Sequence, residues 1–305
     1  MSRRFLLAAA VGVLAVSGAT AAPRDPAAPA RKAGPGKAAK GARAAKGTQV
    51  TKGARVKKDA QVRKDAPAPK LPNLSAQQIV ARNVAARGGL EKWRAVSTLS
   101  TSGKIDAGGK PNVELPFVMK QKRGHKSRLE IAFHGQTAVQ VYDGSQGWKL
   151  RPFLNRNEVE PYTASEARSA ATWEELDGPL VDHARKGTRV ERAGTERIDG
   201  HDTYRLKLTS RSGEERLVWI DAKTFLERKI EGEPRKMDAK VRHVAIYYRD
   251  FRTEKGLTTP RVLETVADGV PQRHKLTIAQ VTVNEPMADT LFGKPQLAAL
   301  TVPAR

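Results

Sequence analysis

Six histidines are the residues best suited to proton or metal chemistry: His125, His134, His183, His201, His243 and His274. A helical zinc site needs two of them on one face, as in His-x-x-x-His or His-Glu-x-x-His, and no pair has that spacing. His125 and His134 are near enough in sequence to share a hairpin, where a surface pair is the simpler reading than a metal site. Glu174-Glu175 and Asp177 form an acidic cluster. Paired carboxylates do acid–base work, but a solvated helix face has the same composition. There is no Gly-x-Ser-x-Gly elbow and no phosphate-binding glycine loop; Gly144-Ser145-Gln146-Gly147 reads as a hairpin turn. The chain has no cysteine. That excludes disulfides, thiolate zinc sites, iron–sulfur clusters, a thiol nucleophile and a lipid anchor on an N-terminal Cys. No catalytic residue, metal or cofactor is expected. A hydrolase stays open as an alternative, because catalytic triads need not be local in sequence.

The segments that would position any site divide the chain unevenly. Its 305 residues carry 55 Lys and Arg against 32 Asp and Glu, a net charge of +23. Pro23–Pro72 alone holds 14 basic and 3 acidic residues. Ahead of it, Arg3-Arg4, the apolar run Phe5–Val16 and the small-x-small triplet Ala19-Thr20-Ala21 read as a cleaved export signal over 1–21. Residues 22–72 then read as a disordered basic linker. They contain no aromatic and few large apolar side chains, and they repeat themselves, as in Lys40-Gly41-Ala42-Arg43 and Lys52-Gly53-Ala54-Arg55. Such a segment cannot bury enough surface to offset its ordering entropy. Its charge fits an anionic membrane or cell-wall surface, with salt-sensitive affinity. Nucleic acid is not expected, since no aromatics are interleaved to stack on bases.

Residues 73–295 read as one domain, followed by a short tail at 296–305. Ser75 with Gln78 makes a capping box, Ile79, Val80 and Val84 form an apolar stripe, and Gly88-Gly89 ends the helix. A short helical turn with Trp93 as its anchor follows. From Ser97 the period changes to two. Val113–Met119, Leu129–Phe133, Val139–Val141, Tyr204–Leu208, Leu217–Ile220, Val244–Tyr248 and Leu276–Val283 read as strands, with a bulge near Ala279-Gln280. Turn signals separate them at Ala107–Lys110, Asp143-Gly144, Asp199-Gly200, Ser212-Gly213 and Asp268-Gly269. About ten to eleven antiparallel strands follow from this spacing, too many for a flat sheet, so a strongly curved sheet or open barrel is expected. Thr163–Lys186 breaks the pattern and reads as two short helices, interrupted at Gly178-Pro179, lying over the open face.

Ala86-Arg87-Gly88-Gly89-Leu90-Glu91-Lys92-Trp93, Tyr142-Asp143-Gly144-Ser145-Gln146-Gly147-Trp148, Gly178-Pro179-Leu180-Val181-Asp182, Ile220-Asp221-Ala222 and Thr259-Pro260 occur in that order. The arrangement resembles the outer-membrane lipoprotein-sorting (LolA/LolB-like) family of periplasmic carriers over roughly Leu74 to Pro295. The resemblance implies a mainly β fold with a few short helices: a half-open antiparallel β-barrel whose concave apolar face the helices close. It implies a periplasmic protein that carries a lipid, or a lipid-modified protein, through an aqueous compartment. A monomer is expected.

On that reading the candidate cavity lining is Leu115, Phe117, Met119, Leu129, Ile131, Phe133, Val139, Val141, Leu206 and Leu208. The candidate lid residues are Trp173, Leu176, Leu180 and Val181. The same alternation would equally build a filled core, and a lipid-sensing or protein-interaction module without transport stays open beside the carrier.

Overall fold

The computed structural model describes residues 69–106, 113–152, 156–173, 175–237, 240–271 and 273–296. The export signal, most of the basic linker, the 107–110 turn and the last residues of the chain lie outside that set.

The body opens as its sequence dictates. Helix α1, Ala76–Ala86, is capped by Ser75, whose hydroxyl accepts from the Gln78 amide at 3.2 Å while Gln78 Oε1 accepts from the Ser75 amide at 2.9 Å. The reciprocal pair satisfies two of the donors that a helix start leaves open. Gly88 and Gly89 end the helix with φ of +114° and +96°. Gly88 is required for space as well, because a Cβ there would sit 2.2 Å from the Gly256 carbonyl oxygen. Helix α2, Leu90–Arg94, follows. Its Trp93 is fully buried and donates from Nε1 to the Arg87 carbonyl at 3.0 Å.

Thirteen described strands form one antiparallel sheet. The first meander comprises β1 (Thr98–Asp106), β2 (Glu114–Lys122), β3 (Lys126–Phe133), β4 (Gln136–Asp143), β5 (Gly147–Arg151) and β6 (Arg156–Pro161). The second comprises β7 (Arg189–Ile198), β8 (His201–Thr209), β9 (Glu215–Asp221), β10 (Glu227–Met237), β11 (Lys240–Glu254), β12 (Leu257–Ala267) and β13 (His274–Val283). The spatial order is β6-β5-β4-β3-β2-β1-β13-β12-β11-β10-β9-β8-β7. β1 and β13 join the meanders, and β6 and β7 are unjoined edges, so the sheet is open.

The count exceeds the expected ten to eleven for a physical reason. Half the residues of each edge strand are charged and few are large and apolar, Arg-Asn-Glu-Val-Glu-Pro in β6 and Arg-Val-Glu-Arg-Ala-Gly-Thr-Glu-Arg-Ile in β7. Charge and proline blunt an exposed edge against pairing with other chains, and they also erase the apolar alternation that betrays a strand. The expected bulge is present: partners shift between Ser102 and Gly103 on β1, leaving Ala279 of β13 unpaired. Gly103 permits it, since a Cβ there would meet the Thr277 carbonyl oxygen at 2.0 Å.

The topology dictates that the chain crosses from one edge of the sheet to the other. After β6 the chain stands at one edge, and it must reach β7 at the other. It crosses by helix α3, Ala164–Trp173, and a run of turns from 176 to 187. One helix is present where two were expected. Gly178, at φ +75°, and Pro179 break the pattern, and the remainder is a run of turns closed by backbone bonds such as Lys186 N–H to the Asp182 carbonyl at 3.1 Å and Thr188 N–H to the His183 carbonyl at 2.8 Å. α3 begins at Thr163, whose hydroxyl accepts from the Glu166 amide at 3.3 Å while Glu166 accepts from the Thr163 amide at 2.7 Å. Glu166 also takes both of its carboxylate oxygens to Lys149 of β5, at 2.6 and 2.7 Å, in a fully buried pair. That pair ties α3 to β5. No described helix is long and apolar enough to cross a membrane.

Candidate functional site

Strand register defines which side chains share the concave face, because directly paired residues point the same way. Ile131, Phe117, Gly103 and Ile278 are successive partners across four strands. Leu206, Val218, Ile230 and Ile246 are successive partners across another four. Leu263 pairs with both Leu276 and Tyr248 and connects the two rows.

Over part of this face the chain leaves a cavity of about 260 Å³. Phe117, Met119, Leu276 and Ile278 form one wall; Val218, Ile230, Ile246 and Tyr248 form the other. Leu176, Gly178 and Pro179 of the crossing segment cover it, and Trp93 and Arg87 close one end. The few polar groups are specific. Arg87 lies with its guanidinium 4.5 Å from the Trp93 ring centroid and donates from Nη1 to the Asp177 carbonyl at 2.7 Å. Its Nη1 also stands 3.5 Å from Glu227 Oε1, with both side chains largely buried. Burial pushes the Tyr248 hydroxyl above its ordinary pKa, an effect that Glu227 reinforces.

Beyond the cover lies a second, larger space of about 840 Å³, lined chiefly by charged side chains. Its centre is Asp177, which is buried. One carboxylate oxygen accepts from Arg123 at 2.9 Å and the other from Lys186 at 2.6 Å. Arg123 also donates to the carbonyls of Val96, at 2.7 Å, and Trp93. Lys186 reaches Glu175 at 2.5 Å. Arg94 grips both oxygens of Asp182 at 2.7 and 2.8 Å and holds that carboxyl below its usual pKa against the opposing effect of burial. Asp177 therefore links the two spaces: its carbonyl holds Arg87 at the apolar cavity and its carboxylate holds the cations of the charged cleft. The solvated-face reading of the acidic cluster is overturned for Asp177, whose spacing in sequence gives no sign of its partners. Glu174 lies outside the described residues.

The expected lining residues separate into four groups. Phe117 and Met119 line the cavity. Leu115, Leu129 and Ile131 pack beside them in a cluster with Ile105 and Leu276, with Phe133 at its margin. Leu206 and Leu208 share the concave face but are fully buried in a cluster with Ile79 and Val80 of α1 and with Leu180. Val139 and Val141 are on the opposite face. They pair with Glu130 and Arg128 rather than with the Leu129 and Ile131 side, and they pack against Leu150, Met287 and Phe292. Strand β4 is buried on both faces at Ala138–Tyr142, so alternation could not tell its inner side from its outer one. Of the expected lid residues, Leu176 covers the cavity, while Leu180 and Val181 are fully buried anchors in two different clusters. The Trp173 side chain lies outside the described set. The far wall, Ile230, Ile246 and Tyr248 with Arg87 and Glu227, was missed as lining. Ile246 and Tyr248 were legible as a strand, but nothing in their spacing says which strands face each other.

The histidines do not gather. His125 and His134 flank β3 at opposite ends, roughly 30 Å apart at the usual rise per residue. His125 stands 3.5 Å from Glu175, His183 Nδ1 lies 2.9 Å from the Thr188 carbonyl, and His201 lies 3.1 Å from Asp221. Among the described residues no three His, Asp or Glu side chains form a metal-binding group.

No family model and no curated protein matches the chain. Among solved structures it is similar to a LolA superfamily protein from Nitrosomonas europaea, with 16% identity over 72% of this chain and 98% of that one, at a TM-score of 0.48. It is similar to a DUF1329 family protein from Desulfovibrio piger, with 15% identity over 74% and 98%, at 0.49. A third, described as an outer membrane lipoprotein-sorting protein domain from Vibrio parahaemolyticus, has 12% identity over 72% and 96%, at 0.46.

Proposed function

We propose that this protein is an exported, periplasmic carrier that holds the acyl chain of a lipid, or of a lipid-modified protein, in the apolar cavity of its open sheet. The observation that carries the reading is the unfilled space of about 260 Å³ between Phe117, Met119 and Ile246, under a cover of Leu176 and Pro179. Sealed cores are packed almost without voids, so a space of this size among apolar walls is a binding feature. It lies just under the usual range of ligand pockets, roughly 300–1,000 Å³. A full acyl chain therefore requires the Glu175–Pro179 strip to move outward. The driving force is sufficient: at about 0.8 kcal/mol per buried CH₂, a sixteen-carbon chain gains on the order of 10 kcal/mol before opening and ordering costs. No bond is made or broken; uptake and release need only a cover whose displacement costs less than that gain.

The basic segment 22–72 serves in this reading as an electrostatic tether that holds the carrier near anionic membrane or cell-wall surfaces, and the segment before it as the export signal. Extraction and native mass spectrometry of the purified protein test the function. A co-purifying amphiphile at one per chain is expected. A protein that emerges empty and takes up no added fatty acid would remove the carrier reading in favour of a packed interaction module. N-terminal sequencing of the exported form should begin near Ala22; an intact Met1 in washed membranes would instead make the first segment an anchor.

A further inference from the structure

The geometry points to the charged cleft as the seat for an anionic, phosphate-bearing headgroup of the amphiphile whose tail occupies the apolar cavity; the inference rests on the carrier reading. The two spaces meet along one strip, since Glu175, Leu176 and Pro179 line both. A tail lodged against Phe117 and Ile246 would thus emerge past that strip into the cleft.

Among the described residues the cleft has more positive charge than its carboxylates can use. Arg94, Lys122, Arg123, Arg185, Lys186 and Arg211 line it against Glu175, Asp177 and Asp182. Asp182 is taken by Arg94, Asp177 by Arg123 and Lys186, and Glu175 by Lys186, while Lys122 is held by Asp289 outside the lining. Two guanidinium groups are left over. Among the described residues Arg211 has no hydrogen-bond or ion-pair partner, and Arg185 has only the longer-range field of Asp182.

Arg211 is nonetheless placed. It sits in the β8–β9 turn and crosses Gly187, where an added Cβ would come within 2.9 Å of its Nε. Gly187, at φ +78°, ends the crossing segment, so this contact ties the cleft's two sides together. The hydroxyl-bearing residues Thr188, Ser210 and Ser212 line the same space. Spare guanidinium forks beside hydroxyl donors are the donor set that recognises phosphate oxygens.

The test uses the full chain and two fluorescent probes with one pyrene-labelled dodecyl tail, ending either in a phosphate or in an alcohol. The phosphate should bind at least about tenfold more tightly at low salt, a preference that shrinks as salt rises. The Arg185→Gln/Arg211→Gln double variant should reduce that preference below about threefold, and Arg185→Lys/Arg211→Lys should fall between the two, since the charge is retained but the bidentate fork is lost. Equal binding of the two probes by the wild type, or an unchanged preference in the Gln variant, would overturn the headgroup site while leaving the cavity intact. Uptake of neither probe would overturn the carrier reading and this site with it. Inorganic phosphate should compete only weakly; full displacement at sub-millimolar phosphate would reassign the cleft to a free anion and overturn the headgroup assignment.

Discussion

The concave face of this sheet is one surface with two outcomes. Over β7, β8 and the end of β9 it is packed, with Ile79, Val80 and Leu180 clustered with Leu206, Leu208 and Ile220, each at most 5% exposed. From β2 and β1 through β13 to β10, reaching Val218 of β9, the same face leaves about 260 Å³ open. The strands do not differ in kind: Leu206 in the sealed part and Ile246 in the cavity wall belong to one row of register partners. The covers differ. α1 lays an apolar stripe along the sealed part. The open part is covered by a strip that contributes Leu176 and Pro179 and is fastened by Asp177, Glu175, Arg123 and Lys186. An amphipathic helix fills what it covers, whereas a strip fastened by ion pairs can span a space without filling it.

Charge placed in the sealed part should have the largest effect. Leu206→Glu would bury an unpaired carboxylate, and we expect no folded protein, or a loss of at least about 4 kcal/mol in urea unfolding. Next is the fastening. Asp177→Ala leaves Lys186 and Arg123 without their buried partner and should cost about 2 kcal/mol, less than a fully buried pair because both cations reach solvent. It should also speed uptake of a fluorescent fatty acid in stopped-flow mixing. A slower or unchanged rate would mean that the strip does not gate the cavity.

Overpacking compares the two parts directly. Val190→Phe, in the sealed cluster, should cost about 1–3 kcal/mol. Thr101→Phe, at the cavity, should cost little in thermal unfolding yet abolish fatty-acid uptake, because the ring enters space already present. Equal destabilisation by the two would show that the cavity is packed in solution. A smaller effect concerns acid. Asp182 is held below its usual pKa by Arg94, and Asp221 by the Lys223 and Thr224 amides and by Arg228, which together outweigh the opposing effect of burial. A carboxyl depressed by folding stabilises the protein above its unfolded pKa, near 4, and loses that contribution as pH falls through its folded value. Melting temperature should therefore drop between about pH 4 and pH 2, less steeply in Asp182→Asn. Deleting residues 23–67 should change melting least of all, while weakening binding to anionic vesicles at low salt.

Much of the scaffold was legible because each signal is local. Ser75 and Gln78 announce the first helix, Gly88-Gly89 its end, and the runs around Phe117, Leu206 and Ile246 their strands. The charged edges β6 and β7 were not, since solubility removes their alternation. The candidate site was legible only by halves. Phe117 and Met119 read as inward-facing, but so did Val139 and Val141, which face outward under Phe292, because a strand buried on both sides carries no phase. Arg87 was visible as part of a motif and Asp177 as part of an acidic cluster. Their union depends on a crossing segment that brings residues 90 positions apart in sequence to 2.7 Å, which no spacing rule encodes.

A photoreactive fatty acid with a diazirine near its terminal methyl tests the central claim most directly. After irradiation of the complex and peptide mapping by mass spectrometry, the account predicts saturable labelling on β2, β11 and β13, around Phe117, Ile246 and Leu276. Labelling around Val141, Trp148 or Leu291 on the other face, or labelling that never saturates, would contradict it.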